Sequence, residues 1–263
     1  MTEPQHRRTL RRPGVALGPG LVSAALLIAV WAVAASLTER PQHLPSPVAV
    51  FRVLGQLIGS DELWLHVGMT LFRVTAAFVA AMALGGALGL WMGRSRTADR
   101  WLNPALVIAL NLPALVVIVL CYIWIGLNEV AAVTAVALNK IPLVTVMTRE
   151  GARALRPDLD DMARSFRMDG LARLRHVVLP QLAPHIAAAA RAGIALIWKI
   201  VLVVEFLGRS NGVGFKIHLL FSNFDVAGVL AWALAFVAVM MAIDAGIMRP
   251  WEARVNRWRS DAA

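Results

Sequence analysis

Six apolar runs of about twenty residues, at 15 to 37, 70 to 92, 104 to 125, 130 to 148, 185 to 207 and 226 to 248, constrain this chain more than any other feature. Each is long enough for a helix to cross roughly 30 Å of hydrocarbon. Lipid offers backbone N–H and C=O groups no water, so a spanning segment must satisfy them internally. Runs this long without alternating polarity do not suit barrel strands, which leaves helices. The sequence therefore predicts an all-α polytopic membrane protein, a single transmembrane domain over 1–263 with six transmembrane helices.

The charge pattern orients those helices. Hydrophobic residues make up 59% of the chain and charged ones only 16%, a balance outside the range of soluble domains. A net charge of +10 would suggest nucleic acid in a soluble chain, so the placement of the charges decides. With the N-terminus inside, the segments 1–14, 93–101, 149–184 and 249–263 hold 18 Lys and Arg residues. The outside segments hold four, Arg40, Arg52, Arg209 and Lys216. That asymmetry predicts both termini cytoplasmic and leaves no role for nucleic acid. Arg7, Arg8, Arg11 and Arg12 ahead of the first run imitate a secretory signal. The run exceeds a signal core in length and is read as a retained first span.

Between the first two spans, Ser46-Pro47 supplies an N-cap and a proline at the first helical position. Val48, Phe51, Leu54, Leu57 and Ile58 follow at helical spacing, predicting a short amphipathic helix on the outer surface. In the second span Ala77, Ala81, Gly85, Gly89 and Gly93 recur every fourth residue, a small-residue stripe that lets another helix approach closely.

Several chemistries have no residues to carry them. There is no G-x-x-x-x-G-K-[ST] loop to cradle nucleotide phosphates. The six histidines are scattered without ligand spacing, and Cys121 is the lone cysteine, so neither a metal site nor a disulfide is expected. No G-x-S-x-G turn or Ser-His-Asp set can be assembled. No catalytic residue, metal or cofactor is expected on this chain.

The polar stretch 149–184 is what remains to be explained. Asp161-Met162-Ala163 is followed at the fourth position by Arg167, then nine residues on by Val177-x-Leu179-Pro180. Ser165 and Gly170 lie between. The spacing resembles the EAA loop of ABC importer permeases, written E-A-A, three residues, Gly, nine residues, I-x-L-P. Asp replaces Glu here, Met replaces the first Ala and Val replaces Ile. The resemblance implies two short helices that seat in a cleft of a separate ATPase subunit. Asp158 to Phe166 and Leu171 to Val178 each read as a short helix, with Pro180 and Pro184 bounding the second. Arg167 stands where the family has its joining glycine. Either the turn moves toward Gly170, or it takes a form that tolerates a side chain and sets a fixed cation against the ATPase.

The resemblance extends from about Leu44 to Arg259 and looks like the nitrate, sulfonate and taurine branch. It rests on Leu44-Pro-Ser-Pro47, Leu112-Pro113, Trp124-Ile-Gly126, Glu205 with Asn211-Gly-Val-Gly214, and Arg249-Pro-Trp-Glu252-Ala-Arg254 with Arg257-Trp258-Arg259. It implies a methionine-permease-like type I ABC importer core in the bacterial inner membrane. The implied partners are ABC ATPase subunits, an extracytoplasmic substrate-binding protein, a second permease copy and membrane lipid. Glu205, Gly212 and Gly214 match elements near the family's outer gate.

Charged residues deep in a span cost roughly 2.5 to 3.5 kcal/mol on insertion scales, so each is a functional-site hypothesis. Lys140 and Lys199 lie deepest, and with Asn111 and Asn139 they would make an electropositive path for a small anion. The alternative is structural pairing, with Lys199 meeting Glu205 or Asp244. Arg73 and Arg191, nearer the span ends, read as snorkelling anchors. The rival class is a secondary transporter driven by an ion gradient. It would want an intramembrane carboxylate or paired broken helices, and only Glu205 and Asp244 are available.

Overall fold

The computed structural model describes residues 17–38 and 42–251, and all regular structure among them is helical. The expected tail 1–14, and Glu252, Arg254, Arg257, Trp258 and Arg259 of the C-terminal resemblance, lie outside the described residues.

The first run forms α1 (Leu17–Ser36), exposed over most of its length. Its Trp31 indole donates to the Pro45 carbonyl at 3.1 Å. The amphipathic segment forms α2 (Pro47–Ile58), capped by the Ser46 hydroxyl, which accepts from the Ala49 N–H at 3.3 Å. Val50, Leu54 and Leu57 face the interior, while Val48, Phe51 and Ile58 stay exposed. The partner of that inner stripe is α11 (Val226–Ile243), the last long helix.

The second run lies within α3 (Asp61–Arg94) and the fourth within α6 (Glu129–Arg153), and these two make the main seam of the bundle. The small-residue stripe faces that seam. A Cβ added at Gly85 would lie 2.8 Å from the Ile141 carbonyl, and one at Gly93 would lie 2.5 Å from the Ala152 Cβ. Ala77 and Ala81 are fully buried on the same face. Side chains of one carbon or none therefore set how closely the two backbones run.

The third run is not one continuous helix. It is divided between α4 (Arg96–Asn111) and α5 (Ala114–Ile125), which meet at 98°. Pro113 explains the break: proline lacks an N–H, and it pushes the preceding residue out of the helical region. Leu112 accordingly has φ −68° and ψ 126°.

The fifth run falls in α9 (Leu179–Gly208), and α10 (Val213–Ser222) and α11 complete the core. Trp198, Val201 and Val204 of α9 pack with Ile118 and Cys121 of α5, Ala132 and Val136 of α6, and Trp232 and Phe236 of α11. Among the described residues four helices are long and apolar enough to cross a membrane, or five if the bent pair counts as one span.

Candidate coupling loop and buried charged cluster

After α6 the chain turns into α7 (Pro157–Ser165), which starts with proline at its first position and carries Asp158 and Asp160 in its first turn. Both choices favour initiation: the missing proline N–H would have had no partner, and carboxylates complement the helix dipole. The end of α7 settles the turn. Arg167 has φ 50°, the left-handed conformation. The Met168 N–H donates to the Ala163 carbonyl at 3.0 Å and the Arg167 N–H to the Arg164 carbonyl at 2.9 Å. That pair of bonds is a Schellman motif with arginine in the position usually held by glycine. The turn is therefore not displaced to Gly170. Gly170 instead opens α8 (Gly170–Arg173), whose N-cap Asp169 accepts from the Ala172 N–H at 2.7 Å.

Pro180 does not bound the second helix, contrary to the sequence reading. α8 runs through a π-helical turn, Leu174–Val178, directly into α9, and Pro184 also lies inside that helix. The Leu179 N–H reaches back five residues to the Leu174 carbonyl. The wider turn re-registers the hydrogen bonds just where Pro180 contributes no donor.

One face of α7 is tied down. Ala163 is fully buried, and Asp160 accepts from the Arg173 Nε at 2.6 Å and also from its Nη2. That contact with Arg173 holds the Asp160 carboxyl below its ordinary range. The other face is open: Asp161 is 74% exposed and Phe166 77%, with Met162, Ser165, Arg167 and Leu171 also exposed. Val177 is buried, whereas Leu179 and Pro180 are exposed. Three large apolar side chains, Met162, Phe166 and Leu171, thus stand exposed beside Asp161 and Arg167.

At the other end of α9 the structure gathers Glu205, Gly212 and Gly214 into one contact. Glu205 is fully buried. Its Oε1 accepts from Arg73 Nη1 at 2.6 Å, and its Oε2 accepts from the Thr70 hydroxyl at 2.9 Å and the Gly214 N–H at 2.8 Å. Gly212 has φ 105°, and a Cβ there would collide with the Glu205 carboxylate. One at Gly214 would collide with the Leu202 carbonyl.

Arg73 is the hub, and the anchor reading of it fails. It is 1% exposed. Its Nε and Nη2 donate to Glu129 at 2.8 and 2.7 Å, and Nη1 donates to the Asn211 carbonyl at 2.9 Å. Arg209 also pairs with Glu129. Two arginines thus balance two carboxylates, and they tie α3, α6 and α9 to the loop before α10. His66 Nδ1 accepts from the Gly212 N–H at 2.9 Å, and the Thr70 hydroxyl accepts from the Val213 N–H at 2.9 Å. His66, Thr70 and Arg73 occupy positions i, i+4 and i+7, one polar face on an apolar helix. That spacing is a signal in the sequence for His66 and Thr70 as partners of Arg73.

The four candidate path residues lie on three helices, Asn111 on α4, Asn139 and Lys140 on α6, and Lys199 on α9. Lys140 is 8% exposed on α6, one turn before Val144, whose side chain meets Gly85 of α3. Asn139 is half-buried, and Asn111 donates to the Val107 carbonyl at 2.8 Å in the last turn of α4. Lys199 lines a cavity of about 530 Å³ between α9 and the end of α11, with Arg191, Trp198, Asp244 and Arg249. Of the two partners offered to Lys199 for structural pairing, Glu205 is held by Arg73, while Asp244, which accepts from Arg249 Nε at 2.8 Å, lines the same cavity as Lys199.

The long apolar helices and the buried charged cluster fit a polytopic membrane protein. Residues 85–249 match the family described as the binding-protein-dependent transport system inner membrane component, and this chain belongs to it. It is thus a permease component of an ABC importer, not an enzyme, and ATP hydrolysis is the work of separate ATPase subunits. Within the family it falls in the nitrate, sulfonate and taurine branch. The putative aliphatic sulfonates transport permease protein SsuC of Escherichia coli (strain K12) is 33% identical over 190 residues, 72% of each chain. The taurine transport system permease protein TauC of the same organism is 25% identical over 90% of this chain and 88% of that one. The crystal structure of an amino acid ABC transporter with histidines shares the fold, with a TM-score of 0.58 at 20% identity over 79% of this chain and 96% of that one.

Proposed function

We propose that this chain forms the translocation path for a small anionic solute of the nitrate, sulfonate or taurine kind and couples it to ATP hydrolysis through residues 161–180. The reading includes six spans, both termini cytoplasmic, and a single domain over 1–263. α1 and the bent α4–α5 pair would then complete the set of spans. A second permease copy completes the path, and a substrate-binding protein delivers solute from outside.

One observation carries the coupling role: the Schellman turn at Arg167 holds Asp161, Met162, Phe166 and Leu171 exposed beside it while Asp160 and Ala163 fasten the other face of α7. A loop fixed on one side and apolar on the other can transmit a push. Closure of the ATPase dimer would move this loop and, through the continuous rod from Gly170 to Gly208, move α9. The far end of α9 bears Glu205, so the same displacement reaches Gly212 and Gly214, the proposed outer gate. Anion selectivity would rest on Lys140 and Lys199, with Asn111 and Asn139 as neutral donors.

The test is co-purification of the ATPase with Asp161→Lys and with Ser165→Pro, the second of which removes a donor inside α7. Loss of the ATPase from both variants at normal permease yield is the expected result. Retention in both at wild-type stoichiometry would overturn the coupling role.

A further inference from the structure

A cavity of about 410 Å³ lies beneath α7, and its wall carries five arginines, Arg94, Arg153, Arg156, Arg164 and Arg173, against the single carboxylate of Asp160. Two of the five are satisfied by acids set elsewhere: Arg156 by Asp158 at 2.5 Å, and Arg153 by Asp99 at 2.5 Å. The imbalance sits at Asp160. Arg173 takes its good geometry, leaving Arg164 at 3.5 Å, with Asp161 as a second and looser partner at 4.0 Å, and Arg94 at 3.8 Å. A carboxylate has about four lone-pair sites and each guanidinium five donors, so three arginines around one Asp leave most of their N–H groups unmatched.

From this we infer that the cavity binds a phosphate-type oxyanion, with Arg94 and Arg164 as its principal ligands. Guanidinium forks match phosphate oxygens two at a time, and a dianion or diester phosphate would neutralise the excess charge. The site bridges two bodies, because Arg94 is the last residue of α3 and Arg164 belongs to α7. An anion held between them pins the coupling helix to the base of the membrane bundle. Arg94 and Arg153 end α3 and α6, the level at which phospholipid headgroups lie if these ends are cytoplasmic. Basic pockets between helix ends on that side suit anionic headgroups. The headgroup source rests on the orientation proposed above; a soluble phosphate does not.

The test uses the full-length permease in nanodiscs, so that its outcome is independent of ATPase coupling. In one arm the bilayer is phosphatidylcholine alone or mixed with phosphatidylglycerol, and retained phosphatidylglycerol is counted by native mass spectrometry. In the other, inorganic phosphate is titrated by calorimetry into the phosphatidylcholine sample. The Arg94→Gln/Arg164→Gln variant keeps the Arg173–Asp160 pair and is expected to bind about tenfold or more weakly in one arm. A difference in the lipid arm assigns the headgroup, and one in the phosphate arm alone assigns a soluble anion. The Arg94→Lys/Arg164→Lys variant keeps the charge and should stay within severalfold of wild type. No binding in either arm, equal binding by wild type and the Gln variant, or equal loss in the Gln and Lys variants would overturn the assignment.

Discussion

Replacing Arg167 by glycine should make the coupling loop more stable. Its φ of 50° closes the Schellman turn that ends α7. A residue with a Cβ pays roughly 1–2 kcal/mol in the left-handed region, while glycine adds about 0.5–1 kcal/mol of backbone entropy to the unfolded side. Arg167 is exposed and its side chain makes no hydrogen bond or ion pair among the described residues, so its removal forfeits neither. The net gain is about 0.5–1 kcal/mol, which corresponds to about a two- to fivefold lower population of the opened turn. Hydrogen exchange of the Arg167 and Met168 amides reads this directly, since those N–H groups close the motif. Both should exchange about two- to fivefold more slowly in Arg167→Gly. Arg167→Ala retains the Cβ and should gain little. Equal slowing in the Ala and Gly variants, or faster exchange in Gly, would show that the strained turn is not the cause.

Other perturbations reach the remaining parts of the molecule. Arg73→Met leaves the Glu205 carboxylate buried without its cation, and should destabilise by about 3–5 kcal/mol. Arg73→Met/Glu205→Met should recover much of the loss in thermal unfolding in detergent. Gly212→Ala sets a Cβ against that carboxylate at φ 105°, so uptake should fall severalfold or more while co-purification with the ATPase is unaffected. Lys199→Met should lower the maximal uptake of an anionic substrate while leaving assembly intact, and normal uptake would remove Lys199 from the path. The Asp160 carboxyl titrates below its unfolded value because of Arg173. Its contribution is therefore complete above the ordinary carboxylate range and lost only as pH falls through the depressed folded value. Exchange protection of α7, corrected for intrinsic rates, should stay flat from about pH 8 to about pH 5.

Local signals in the sequence are legible where one element decides the outcome. Ser46-Pro47 started α2 where it was expected, and the stripe from Ala77 to Gly93 became the α3–α6 seam because the space allowed a side chain depends on the period of one helix. Prolines were less legible. Pro113 breaks the third run into two helices at 98°, whereas Pro180 and Pro184 lie inside one rod, the first just beyond a π-turn. The same residue gave opposite results because the surrounding backbone, not the ring, determines whether the missing donor is tolerated. Arg73 was hidden for a different reason. Its partner Glu205 lies 132 residues away, and the penalty for an isolated charge in lipid says nothing about whether it is paired. Residue type alone does not choose the turn at Arg167, because a backbone dihedral is set by the hydrogen bonds on both sides of it.

The coupling role of the 161–180 loop is most directly tested by site-specific crosslinking. Cys121 is the lone native cysteine and is buried, so Arg167→Cys introduces the one readily accessible thiol. With permease and ATPase in one membrane, a short bifunctional reagent should join Arg167→Cys to the ATPase, and a Phe221→Cys control on α10 should give no such product. Crosslinking that falls when Ser165→Pro is added would agree with docking through α7. Equal crosslinking at both positions, or none at Arg167→Cys in a membrane that still performs ATP-driven uptake, would contradict it.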